Sequence, residues 1–354
     1  MAKKAKSDKG EEAEVDSGDL GMAAIKKKYG DIVRRGSTIF DEKSNKKCVS
    51  VSPAYDYALN GGILEGSWTV ISGIEKCGKS SLCLQTIANG QLQGRRGIYA
   101  DAESRIKSYN LSGIHDLNQN ELEIISGKKE DLSAEDILNT VNDMIRLPKF
   151  HGSVVVIDST SSLLPRDEMD AEVSAKLRAQ LPKLLSHWIK KNAQVVVRND
   201  ILMILITHYI TNTSGYGKHK LADCGVMVQY QADNRLNFTH VEPWEEAGKK
   251  IGQKTLCDIS CSAMGSSGRT ATSYLRFGHG IDFTQECVEL CEQFCLLDKS
   301  GSWYTIPCFA GSPELAEFAT QSFQGKHKVY EFISTNPKAN EFLQKELLSL
   351  LASL

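Results

Sequence analysis

Between residues 48 and 280, short apolar runs alternate with longer stretches of helical periodicity. The clearest runs are Thr69–Gly73, Gly97–Ala100, Ser153–Asp158 and Ile201–Thr207. In SVVVID and ILMILIT, apolar residues follow one another without the alternation of a half-exposed strand. Both faces of such strands are expected to be buried. Their alternation with helices predicts βαβ units, hence an α/β fold with a mostly parallel, twisted sheet flanked by helices. Residues 21–35, GMAAIKKKYGDIVRR, have a helical pattern with a basic face. Residues 284–354 read as helical, with one Gly/Trp/Pro-rich interruption at 300–312. The expected organisation is a disordered tail over 1–20, an N-terminal segment over 21–47, a core over 48–283 and a small C-terminal domain over 284–354. No internal repeat is visible.

A chain of 354 residues, 41% hydrophobic, suffices for one large domain with small appendages. The formal net charge of −2 gives no overall basic field, so contacts to nucleic acid would have to come from local loops. No run reaches the roughly 18 apolar residues a membrane span needs. The first twenty residues are charged and lack a signal-peptide core, so a cytoplasmic protein with no membrane partner is expected. Ten cysteines include no CxxC pair, which argues against a zinc ribbon. Cys287, Cys291 and Cys295 are spaced to share one helix face as small, reduced hydrophobes.

Composition leaves the chemistry open, and one motif narrows it. Gly73-Ile74-Glu75-Lys76-Cys77-Gly78-Lys79-Ser80 fits GxxxxGK[ST], between the apolar run WTVIS and the helical SSLCLQTIANGQL, which begins with Ser80 and Ser81. That strand–loop–helix setting is what a phosphate-binding loop requires. Its glycines let backbone amides wrap a phosphate, and the helix N-terminus adds a favourable dipole. Lys79 is the candidate for the β- and γ-phosphates of ATP, and Ser80 for Mg²⁺. Val154–Asp158 is an apolar strand ending in a carboxylate, which makes Asp158 the second Mg²⁺ candidate. Glu103, after Ile98-Tyr99-Ala100-Asp101-Ala102, can orient or deprotonate water from the end of a neighbouring strand.

The order of these motifs resembles the RecA-type DNA recombinases of bacteria and bacteriophages, over about residues 22–305. SPAYDYALNGGILEG at 52–66, YADAE at 99–103, DSTSSLLP at 158–165, GHGIDF at 278–283 and LDKSGSWY at 297–304 carry the resemblance. It implies a RecA-like P-loop NTPase core with a short N-terminal helical segment and a small C-terminal domain. It also implies a DNA-dependent ATPase that forms helical filaments on single-stranded DNA and pairs it with homologous double-stranded DNA. Single-strand-binding protein and loading factors would be further partners. Glu103 would be catalytic, Tyr109 would stack on adenine, and Ala23–Arg35 would dock on the next subunit. His208 stands where the family senses the γ-phosphate. Two loops would hold DNA. The first runs over Arg166–Arg178, with Lys176 and Arg178 as phosphate contacts. The second runs over Thr211–Gln231, with Thr211, Asn212, Ser214, Gly215, Lys218, His219, Lys220 and Gly225. A segment of some twenty residues without regular structure would itself suggest function.

One departure matters. Ungapped alignment back from Gly278 puts Cys261 and Ala263 where bacterial RecA carries two lysines that reach a neighbour's ATP. Lys254, Arg269 or Arg276 would substitute only if that alignment slips. Three readings therefore compete: a DNA-pairing recombinase, a ring-shaped motor, and a nucleotide-binding paralogue that acts as an assembly factor with little ATPase. The GHGID and Trp303 segments favour the first, and Cys261 and Ala263 give weight to the third.

Overall fold

The computed structural model describes residues 17–127, 130–172, 180–211, 220–222, 225–246, 248–265 and 267–353. The chain divides into one unit ending at Lys46 and a second beginning at Lys47. The first unit holds α1 (Ser17–Tyr29) and α2 (Gly36–Ser44). α1 takes in the last four residues of the expected tail, starting at Ser17, and closes at Gly30 with φ +66°. Met22, Ile25, Tyr29, Ile32 and Phe40 of this unit are all exposed.

In the second unit, β1 (Cys48–Val49) pairs antiparallel with β2 (Ile63–Leu64), and α3 (Pro53–Leu59) lies between them in sequence. The main sheet contains β3 (Trp68–Gly73), β4 (Gly97–Asp101), β5 (Leu122–Ile125), β6 (Val154–Asp158), β7 (Leu202–Thr211), β8 (Lys220–Ala222), β9 (Asn234–Glu246), β10 (Lys249–Cys261), β11 (Thr270–Arg276) and β12 (Gly280–Ile281). Its order is β5-β4-β6-β7-β3-β9-β10-β11-β12, with β8 paired to the outer end of β7. The strands from β5 through β9 run parallel, and those from β9 through β12 antiparallel. The expected βαβ alternation up to residue 280 thus stops near Asn234. Glu246 and Lys249 pair across a two-residue connection, which only an antiparallel hairpin permits.

Helices cover both faces of the parallel half. On one face α4 (Lys79–Leu92) packs Leu84 and Ile87 with Ile71, Val154 and Val156. On the other, α6 (Ala134–Met144) and α8 (Leu181–Arg198) pack Leu138, Val141, Trp188 and Ile189 with Val70, Val155 and Ile157. Successive residues of β6 enter opposite cores, as the unbroken apolar run requires. Trp188 donates to the Leu138 carbonyl at 2.8 Å and meets Trp68 edge-on at 5.8 Å. The shorter α5 (Ser108–Ser112), α7 (Arg166–Met169) and α9 (Val226–Gln231) lie in the connections that border the site.

The C-terminal part contains α10 (Phe283–Gln293), β13 (Asp298–Ser300), β14 (Trp303–Thr305), β15 (Phe323–Gln324), α11 (Lys326–Thr335) and α12 (Pro337–Ser353). The expected interruption at 300–312 includes part of a three-stranded antiparallel sheet. Cys287 and Cys291 are buried in this part's own core with Phe309, Val329, Ile333 and Leu343. Cys295 does not share their face, because the helix ends at Gln293 and Cys295 is exposed with φ +56°. Glu286 ties α10 to α3 by accepting from the Ala54 amide at 3.0 Å.

Candidate functional site

The phosphate-loop motif spans the turn from β3 into α4. Parallel register sets Gly73 opposite His208 of β7 on one side and Phe238 of β9 on the other. Gly73 has φ +154°, and a Cβ there would lie 2.4 Å from the Phe238 Cβ and 2.9 Å from its carbonyl oxygen. Lys76 and Gly78 take positive φ of 55° and 92°, which reverses the backbone around the loop. Glu75 and Lys76 are exposed, Ile74 and Ser81 half-buried, and Cys77 and Lys79 buried. The Lys79 ammonium lies inside the loop, donating to the carbonyls of Ile74 at 2.7 Å and Gly73 at 3.3 Å. Burial pushes the Cys77 thiol up despite the neighbouring ammonium, which disfavours its thiolate form. Gln253 of β10, a residue with no sequence signal, holds the loop by donating to the Lys76 carbonyl at 2.8 Å.

Asp158 ends β6 beside this loop, and its peptide bond to Ser159 is cis. The Ser80 hydroxyl donates to Asp158 Oδ2 at 2.6 Å, and Tyr99 donates to the same oxygen. Burial raises the Asp158 pKa, the Ser80 and Tyr99 hydrogen bonds oppose it, and Glu103 and Asp101 add to it. A hydroxyl and a carboxylate oxygen this close form a hard-oxygen donor set suited to Mg²⁺, which needs only one or two protein ligands beside substrate phosphates. Asp101 is structural: it is buried and accepts from the Arg105 and Ile106 amides at 3.1 and 3.0 Å. These bonds fix the turn that presents Glu103.

Glu103 is the junction of the site. Its Oε1 accepts from Ser159 at 2.9 Å and Ser162 at 3.2 Å, and lies 3.0 Å from His208 Nε2. Its Oε2 pairs with Arg105 Nη1 at 2.9 Å. The His208 amide donates to Ser161 Oγ at 2.9 Å. Glu103, His208, Ser80 and Asp158 are therefore linked through β4, β6 and β7. Ser161, Ser162 and Arg105 were not singled out in the sequence, and nothing in their spacing could have done so. Tyr109 is exposed on α5, and a Cβ at Gly278 would sit 3.0 Å from its hydroxyl, so the GHGI turn abuts this tyrosine.

The expected DNA loops are only partly within the described residues. Lys176, Arg178, Asn212, Ser214, Gly215, Lys218 and His219 lie outside them. The second loop is not a continuous irregular segment: Thr211 pairs with Lys220 in the β7–β8 ribbon, and α9 follows Gly225. Gly225 has φ +87°, and a Cβ there would stand 3.0 Å from Pro182 Cβ, which brings the end of this loop against the start of α8. The Gln180 amide donates to Glu168 Oε1 at 3.0 Å and closes the base of the first loop. A groove of about 470 Å³ runs between these bases, lined by Lys183, Ser186, His187 and Lys190 of α8 and by Gly225–Met227. These residues were missed in the sequence; the i, i+4, i+7 spacing of Lys183, His187 and Lys190 is the signal that would have marked a basic helix face.

Cys261 and Ala263 carry no charge into their surroundings. The Cys261 thiol faces the Asp233 carbonyl at 3.3 Å, and the Ala263 amide donates to Asn234 Oδ1 at 2.9 Å. Two of the three candidate substitutes are engaged internally: Arg269 with the Tyr57 carbonyl at 2.9 Å, and Arg276 with Asp282 at 2.9 Å. Lys254 faces Glu242 at 3.9 Å on an accessible strand. No helix among the described residues is long and apolar enough to cross a membrane.

Residues 18–282 match the family model of the RecA N-terminal domain. Protein RecA of Oleidesulfovibrio alaskensis is 25% identical over 343 residues, covering 93% of this chain and 90% of that protein. Protein RecA of Bifidobacterium longum is 24% identical over 335 residues, covering 93% and 79%. A mitochondrial DNA repair protein of Arabidopsis thaliana, recA homolog 3, is 26% identical over 299 residues, covering 83% and 65%.

Proposed function

The chain belongs to the RecA family, and from that premise we propose that it binds and hydrolyses ATP, polymerises on single-stranded DNA, and pairs that strand with homologous double-stranded DNA. The family alone makes it a RecA-like recombination and repair protein. The finer reading rests on one observation above others: Glu103 Oε1 lies 3.0 Å from His208 Nε2. His208 belongs to the strand that continues into the ribbon of the second loop. A change at the γ-phosphate can thus reach the DNA-facing loop through one side-chain contact.

In this reading the phosphate-loop amides and Lys79 hold the triphosphate, and Tyr109 stacks on adenine. Mg²⁺, held by Ser80 and Asp158, would neutralise phosphate charge. Glu103 positions the attacking water and receives its proton. His208 exchanges Glu103 for the γ-phosphate and transmits that change to the loop. The basic groove on α8 takes the DNA backbone, together with Lys176, Arg178 and residues 211–225, without base readout. The exposed apolar side chains of α1 and α2 supply a docking surface for the next protomer of a filament. Free thiols at all nine described cysteines fit a reducing, cytosolic setting.

A second reading, an assembly factor with little hydrolysis, draws on the uncharged Cys261 and Ala263. ATP hydrolysis with and without single-stranded DNA separates the two. DNA stimulation in the wild type, lost in Lys79→Ala and Glu103→Gln, is expected of the recombinase. ATP binding with no hydrolysis under any condition would instead establish the assembly factor.

A further inference from the structure

We propose that Arg105 is a catalytic residue that contacts the γ-phosphoryl group of ATP, acting as a cationic finger from within the same chain. The inference rests on the ATP-hydrolysis reading above and concerns a residue that reading leaves unused. Charge gives the first reason. Asp101 and Asp158 stand opposite each other at the ends of β4 and β6, and Glu103 binds Ser159, the residue next to Asp158, so three carboxylates gather here. A triphosphate brought beside them needs opposing charge. Lys79 sits inside the phosphate loop. Among the described residues, Arg105 is the one arginine or lysine ion-paired with any of these three carboxylates.

Placement gives the second reason. The Arg105 side chain is 80% exposed, whereas that of Glu103 is 12% exposed. Its guanidinium therefore rests on the solvent side of the carboxylate, where an ion pair is weakly held and readily exchanged. Its backbone is held firmly: Ser104 takes φ +52°, and buried Asp101 grips the Arg105 and Ile106 amides. A fixed base carrying a long, exchangeable cation suits transfer between two anions a few ångströms apart. A phosphoryl group offers the guanidinium paired acceptor oxygens and charge-assisted bonds.

The exchange also relieves Glu103. Ser159, Ser162 and His208 surround its Oε1, and Arg105 occupies Oε2. When Arg105 moves to the γ-phosphoryl oxygens, Oε2 is free to accept from water. The water oxygen forms a bond to the γ-phosphorus, and the bridging oxygen–phosphorus bond breaks with its electron pair leaving on the β-phosphate of ADP. The water proton passes to Glu103 and then to solvent. Arg105 stabilises the charge on the transferred group and returns to Glu103 when phosphate leaves.

The test compares wild type, Arg105→Ala and Arg105→Lys in ATP hydrolysis with single-stranded DNA, alongside equilibrium binding of ADP and of ATPγS. The expected result for Arg105→Ala is a kcat lower by about a thousandfold, unchanged ADP affinity, and a reduced preference for ATPγS over ADP. Lysine should restore only a small part, because it cannot present a planar pair of donors. An Arg105→Ala protein with wild-type or higher kcat and an unchanged preference would overturn the proposal while leaving the ATPase reading intact. A wild type that binds neither nucleotide would overturn both. If the wild type binds both but hydrolyses nothing, the ATPase reading fails and the ATPγS preference decides the phosphate contact alone.

Discussion

Gly73 shows how a single position can be set by two constraints. Its left-handed φ and the 2.4 Å approach of a would-be Cβ to Phe238 leave no room for a side chain, and part of the obstacle is backbone. Gly73→Ala is therefore expected to destabilise the fold by about 1–3 kcal/mol and to displace the Ile74 carbonyl that receives Lys79. A lowered melting temperature together with weakened ATP binding would bear this out; an unchanged melting temperature would show that β9 can yield. The motif spacing already pointed to Gly73, Lys79 and Ser80, because strand, loop and helix follow one another in the chain. Ser161 and Ser162 were hidden for the opposite reason, since their contacts with His208 and Glu103 arise only when β4, β6 and β7 lie side by side. Arg105 pairs with Glu103 only two residues away, but no motif or spacing marks an arginine there.

Among the elements, α8 connects the bases of the two loops proposed to hold DNA. Pro182 stands against Gly225, the Gln180 amide closes the first loop, and Lys183, His187 and Lys190 face the groove between them. Lys183→Ala and Lys190→Ala should each weaken single-stranded DNA binding for every sequence alike. Each should also reduce the slope of log affinity against log salt by about 0.7. Anisotropy titrations at several salt concentrations measure this, and an unaltered slope in both variants would remove the groove from the DNA path. The central strands were legible because burial on both faces leaves uninterrupted apolar runs, as in Val154–Ile157. The long β9–β10 hairpin was not: its outer half is exposed and polar, and residues such as Glu245 and Lys249 carry no strand-like apolar pattern. The small sheet around Trp303 escaped for a similar reason, since its strands have two or three residues each.

At the scale of the whole molecule, the C-terminal helices meet the sheet through buried acid. Glu286 accepts from Ala54 and Ser273, and Asp56 accepts from Ser50 and the Val51 amide. Burial raises Asp56 to about 6 and Glu286 to about 7, against hydrogen bonds that pull the other way. The folded state then holds protons that the unfolded chain has already released. Stability from these groups is fully present below the ordinary carboxylate range and is lost as pH rises through about 6 to 7. Displacements of this size correspond to at most on the order of 3 kcal/mol for each carboxyl. The wild-type melting temperature should accordingly fall between about pH 4 and 7 and level off above that. Glu286→Gln keeps an acceptor for Ala54 and removes the charge, so it should flatten that fall and be the more stable protein at the alkaline end. A wild-type melting temperature that climbs over the same interval would mean that these carboxyls ionise without penalty. The joint would then have to draw its solvation from water reaching the seam between α3 and α10.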